Sequence, residues 1–418
     1  HEDARIGAMW AGGGGGDVHF SALSPGGTGI RKGLFMCTRM LLRGSVSSLA
    51  VALLAGFPCL PQVCHAAGFS VTNLVSDDTS IHPAILADPH LKNAWGIAAT
   101  GSSPFWTGDN GAGLSTLYGV NPTTGVPTKT ALEVTIPGDG SITGLVNNPG
   151  SGSGAFNSDN FLFVSEDGTI SGWRNALGTV AEILQTPVAT NVYKGVTAAT
   201  VSGHTYLYAA NFHTGAVNVL KGDAGAPSLA GNFTDPGLPA GYAPFGIQNL
   251  DGSIYVTYAL TDATAHDDVP GAGHGFVSQF DLQGNFVGRI ATAGALNSPW
   301  GLALAPSSFG AIAGDLLVGN FGDGTINVFN PTTHAPLGPL TDSGGQPLVI
   351  DGLWALFVGN NGSGGSSNNI YFSAGPNDEA HGVFGVIQAV PEPASIMLLG
   401  CAWVIVLGAG RRRRGGSK

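Results

Sequence analysis

Ala94-Trp95-Gly96-Ile97, Ile142-Thr143-Gly144-Leu145, Tyr193-Lys194-Gly195-Val196, Pro244-Phe245-Gly246-Ile247, Pro299-Trp300-Gly301-Leu302 and Ile350-Asp351-Gly352-Leu353 are six short apolar or aromatic segments that each carry a glycine. Their glycines lie 48, 51, 51, 55 and 51 residues apart. A repeat of about fifty residues is the length of a four-stranded propeller blade, so the spacing predicts six blades.

Each unit carries a second strand-like run: Pro104 to Thr107, Phe161 to Ser165, Tyr206 to Ala210, Ser253 to Tyr258, Asp315 to Gly319 and Asn369 to Ser373. Polar turns then lead into third strands such as Gly168 to Trp173, Gly215 to Leu220 and Gly324 to Phe329. Alternating apolar residues, abundant Gly and Asn, and little helical periodicity make the chain all-β. The sixth unit ends at Val383 to Ala389 without a fourth strand, whereas Phe69 to Val75 precedes the first unit and has strand composition. The N-terminal strand is therefore expected to close the ring as the outer strand of blade six, which removes an open edge. A glycine-bearing inner strand, a second strand ending in Asn or Asp and a Gly-led third strand resemble the NHL and related six-bladed propellers over Phe69 to Ala389.

Both ends speak of export. Arg39 and Arg43 precede the apolar stretch from Val46 to Phe57, and Cys64-His65-Ala66 offers small residues for signal peptidase, with cleavage expected after Ala66. Residues 36–66 are thus assigned as a signal peptide starting at Met36 or Met40, and 1–35 as a non-native upstream extension. At the other end, residues 390–418 hold Pro391-Glu392-Pro393, an apolar run from Ala394 to Gly410, and Arg411-Arg412-Arg413-Arg414. The run is long enough to span a bilayer, with the arginines on the cytoplasmic side. This order resembles the PEP-CTERM sorting signal. The resemblance implies cutting by an exosortase-type membrane protease, delivery to the cell surface or extracellular polysaccharide, and membership of an uncharacterised family of exported PEP-CTERM propellers that implies no assigned activity.

The body between, residues 67–389, contains none of the four cysteines, which are Cys37, Cys59, Cys64 and Cys401. It therefore has no disulfide and no thiolate chemistry. Six Lys and Arg stand against twenty-three Asp and Glu, a net charge of −17. Such a surface repels phosphate backbones and excludes nucleic acid as a partner, leaving cations, neutral glycans and surface proteins.

In this strand order the connections after the second strands rim the channel. They place Asp109, Asn110, Glu166, Asp167, Asn211, the segment Asp262 to His274, Asn320, Asp323 and Asp378, with Glu379 and His381 beside it, on one face. Oxygen-rich rings of this kind suit calcium, although Asp167-Gly168 and Asp323-Gly324 are also ordinary hairpin turns. The blade-four insertion holds His266, Asp267, Asp268 and His274; Gly271 and Gly273 would let it fold back so that His266, Asp267 and His274 share one centre. Imidazole with carboxylate would suit zinc, the second choice. Trp95, Trp300 and Trp354 either line a sugar channel or fill the space between blades. No short catalytic motif occurs in the body. The expected function is an exported binding or matrix protein. The alternative, a calcium- or zinc-dependent lactonase-like hydrolase, comes from fold-level likeness to six-bladed lactonases.

Overall fold

The computed structural model of the chain describes residues 66–391. Residues 1–65, with the expected upstream extension and all but the last residue of the expected signal peptide, and residues 392–418, with the rest of the expected sorting signal, lie outside the described residues, within which no helix is long and apolar enough to cross a membrane.

Six antiparallel sheets follow one another around a ring. Their inner strands are Ala94–Ala98, Ile142–Asn147, Tyr193–Val201, Tyr242–Leu250, Pro299–Leu304 and Leu353–Val358. The second strands, from Phe105–Asp109 in blade one to Ile370–Ala374 in blade six, begin and end within two residues of the expected runs. Blade three stops at its third strand, Ala216–Lys221.

The repeat glycines exist because neighbouring inner strands almost touch. A Cβ on Gly96 would stand 2.8 Å from the Leu145 amide nitrogen, and one on Gly144 equally close to that of Val196. On Gly246 it would meet the Trp300 carbonyl oxygen at 2.1 Å, and on Gly301 the Trp354 carbonyl oxygen at 2.5 Å. The sixth position corrects the sequence alignment. Gly352 precedes the inner strand, in a left-handed turn at φ 62°, and the residue in register with the other five glycines is Ala355, which follows Trp354 as Gly96 follows Trp95. The ring tolerates one methyl group here, and the sixth repeat position lies three residues beyond Gly352.

Cores fill the wedges between blades. Trp106 stacks on Phe161 at 4.3 Å and leans on Trp173 between blades one and two. Phe105 meets Tyr371 at 4.6 Å and Phe384 at 5.3 Å between blades one and six.

The N-terminal strand Ala66–Ser76 pairs antiparallel with Val383–Pro391 and supplies the fourth strand of blade six. Leu86–Ala87 adds a short parallel partner outside it. Asp77, at the strand's end, latches the closure. Its carboxylate accepts bonds from the Gly382 amide at 3.1 Å, His381 Nδ1 at 3.0 Å and Lys92 Nζ at 2.5 Å, joining closing strand, blade six and blade one. Burial alone would raise the Asp77 pKa, but these donors outweigh it and hold it below the usual carboxylate range.

Two outcomes follow from this geometry. Gly246→Ala should destabilise the ring by about 1–3 kcal/mol through overpacking, measured by urea unfolding, whereas Ala355→Gly should cost under ~1 kcal/mol. Because the Asp77 pKa is depressed, its contribution is present above the unfolded value of about 4 and is lost as pH falls towards the folded one. The melting-temperature gap between wild type and Asp77→Asn should be widest near about pH 7 and shrink below about pH 4.

Candidate functional site at the channel mouth

The residue before each repeat glycine, or before Ala355, lies near the start of an inner strand: Trp95, Thr143, Lys194, Phe245, Trp300 and Trp354. Four are aromatic, and they close the axis. Trp354 is stacked against Trp95 at 3.6 Å and against Phe321 at 3.9 Å. Trp300 meets both tryptophans edge-on, at 6.4 and 5.9 Å, and Phe245 and Phe212 complete the cluster. The tryptophans therefore line no open sugar channel: they pack between neighbouring blades, Trp354 on Trp95 and Phe321, and Trp95 meets Trp300 across the axis. Beneath this plug the channel narrows to a cavity of about 30 Å3, room for a water or two, lined by Gly96, Gly144, Val196, Ile247 and Leu302.

Above the plug lies an arc of charged and amide side chains drawn from five blades. Lys194 is only 2% exposed. Its ammonium donates to Glu166 Oε1, and to Asp267 Oδ1 at 3.2 Å, and sits 5.3 Å over the Trp95 ring and 6.0 Å over Phe212. Asn110 Nδ2 donates to the other Glu166 oxygen at 3.4 Å. Asn93 Nδ2 reaches Asn110 Oδ1 at 3.4 Å and Glu379 Oε2 at 2.5 Å, while Asn93 Oδ1 accepts from Trp354 Nε1 at 3.2 Å. At the far end His266 Nδ1 pairs with Asp267 Oδ1 at 3.0 Å.

Burial dominates the electrostatics. It pulls the Lys194 pKa down, but Glu166 and Asp267 more than offset it and leave the ammonium above the usual lysine value, a fixed cation and no nucleophile. Burial pushes Glu379 up, against its hydrogen bond from Asn93. Asp268 is likewise raised by burial, with Ser298 and Lys194 opposing, and its Oδ2 has no hydrogen-bond partner. Asp267, exposed at the rim, is lowered: burial raises it, yet Lys194 and His266 prevail.

Of the residues expected at the rim, Asn110, Glu166, His266, Asp267, Asp268 and Glu379 come together here. The others do not. Asp109 is fully buried inside blade one, where Oδ2 accepts from the Thr116 amide and hydroxyl, and burial pushes it well above the carboxylate range. Asp167 caps its turn through the Thr169 and Asp139 amides. Asn211 accepts from the amides of Val192 and Thr214. Asn320 and Asp323 bond each other and Thr325, as turn residues do. Asp378 is exposed; Asn377, Asp378 and Glu379 all have positive φ, and this strained turn aims Glu379, not Asp378, at Asn93. His274 stays at the base of its loop, bonded to the Val269 carbonyl at 2.8 Å, so the third group near His266 and Asp267 is Glu166.

Lys194 and Asn93 escaped the sequence search. Asn93 carries no signal. Lys194 does: it is the one charge in a repeat position otherwise held by Trp, Phe or Thr.

Plugged axis and paired mouth define a class, the six-bladed β-propeller with a closed channel and a polar surface site. The chain belongs to the family of "Uncharacterized protein R648" of Acanthamoeba polyphaga mimivirus, being 30% identical to it over 332 residues, 76% of this chain and 80% of the relative. A second mimivirus protein, "Uncharacterized protein L690", is 35% identical over 202 residues, 47% of this chain and 51% of its own length. Residues 389–414 match the PEP-CTERM protein-sorting motif, which marks an exported protein with exosortase-type processing. Among solved structures, the periplasmic gluconolactonase of Pseudomonas aeruginosa aligns at a TM-score of 0.41 and 13% identity over 71% of this chain and 86% of its own. So distant a likeness says nothing of activity.

Replacing Trp354 with Ala should remove the centre of the plug and cost about 3–5 kcal/mol in urea unfolding, with Trp354→Phe costing clearly less.

Proposed function

We propose that this exported propeller is a binding protein of the cell surface or extracellular polysaccharide, and that its plugged mouth holds a neutral, hydroxyl-rich glycan. One observation carries the proposal. The charges of the arc are already satisfied within the protein, while Glu379 spends one oxygen on Asn93 and keeps the other; the unpartnered Asp268 oxygen is buried and out of a ligand's reach. An acceptor left over in a half-buried, net-negative mouth suits hydroxyl donors and disfavours anions. With the axis closed by Trp95, Trp354 and Phe321, the ligand rests on the mouth and is not drawn into the channel.

Calorimetric titration with neutral oligosaccharides from the producing cell's matrix should show saturable binding. The variant Glu379→Gln should weaken it about tenfold, a hydrogen bond to a charged group contributing roughly 1.5–3 kcal/mol. An equal affinity in both proteins would contradict the proposal.

A second possibility, cation-dependent hydrolysis of a lactone or ester with calcium or zinc, is favoured by the ligand atoms of Glu166, His266 and Asp267, which lie within 4.8 Å of one another. Chelator-sensitive turnover would establish it. For processing, Glu392→Ala should leave the tail uncut in a host with the sorting protease, read by mass spectrometry of the exported protein.

A further inference from the structure

We infer that the Lys194 ammonium is a built-in cation that stands where this mouth would otherwise take a divalent metal. Glu166, His266 and Asp267 bring one ligand atom each, from blades two and four, to within 4.8 Å of one another, a span suited to a bound ion. Both carboxylates of that group are already engaged by one ammonium, which donates to Glu166 Oε1 and Asp267 Oδ1. A dication bound to those oxygens would sit beside a positive charge that is 2% exposed and therefore poorly screened by solvent.

Three features make the lysine a deliberate occupant. It departs from the repeat, since the same register elsewhere carries Trp95, Thr143, Phe245, Trp300 and Trp354. A buried charge is costly unless paired, and this one is 2% exposed and paired twice. The surroundings also favour a cation: the Trp95 and Phe212 rings lie 5.3 and 6.0 Å from Nζ. Lys194 thus supplies a permanent counter-charge to Glu166 and Asp267, and leaves that pair independent of metal supply. The inference does not rest on the glycan proposed above, because its test uses metal salts alone.

Calcium chloride and zinc chloride are titrated by calorimetry into chelator-treated protein: wild type, Lys194→Arg, Lys194→Ala, Lys194→Gln, and Lys194→Ala combined with Glu166→Gln. Wild type and the arginine variant should show no saturable binding that depends on Glu166. The alanine and glutamine variants should each bind one equivalent, at least tenfold tighter than wild type, and the added Glu166→Gln should abolish it. An alanine variant that folds only with metal supports the same conclusion. One equivalent bound by wild type and lost on Glu166→Gln would overturn the inference, as would neutral variants that are folded by circular dichroism and bind no better than wild type.

Discussion

The whole structure depends on how closely six inner strands can approach a common axis. At Gly96, Gly144, Gly246 and Gly301 the neighbouring backbone stands within 3 Å of where a Cβ would be, so each blade packs main chain against main chain. That contact sets the narrowness of the channel, and the narrowness lets a cluster of six aromatic rings close it. A wider ring would leave Trp95 and Trp354 too far apart to stack at 3.6 Å. Once the plug is in place, a charge set above it is cut off from water on its inner side. Lys194 is held as an ion there only because Glu166 and Asp267 reach it from other blades.

How much of this was legible follows from which interactions are local. The blade count and second strands could be read because a glycine demanded by close packing recurs every fifty residues. Ring closure could be read because an apolar strand stood unused before blade one. The slip from Ala355 to Gly352 shows the limit: a glycine needed for a left-handed turn looks the same in sequence as one needed for close approach. At the mouth, the connections after second strands were correctly placed on one face, yet orientation along each connection was not. Asp109 and Asn110 are adjacent, but the first turns into its blade and only the second reaches Glu166. His274 belonged with His266 on composition, whereas its backbone partner Val269 keeps it away.

The closure brings the two processing junctions together. Ala66, the last residue before the expected signal-peptide cut, pairs with Pro391, the first of the sorting motif. The latch at Asp77 then ties this seam to blade one through Lys92. The expected cleavage point and the sorting motif thus flank one strand pair of blade six.

The central claim, that the mouth is organised around a buried and doubly paired lysine, is tested most directly by timed acetylation of the native protein with site-resolved mass spectrometry. Lys221 is exposed on the last strand of blade three and serves as the internal reference. Lys194, 2% exposed and held by two carboxylates, should remain unmodified while Lys221 reacts to completion, and should become reactive only on unfolding. Modification of Lys194 at a rate comparable to Lys221 in the folded protein would contradict the account.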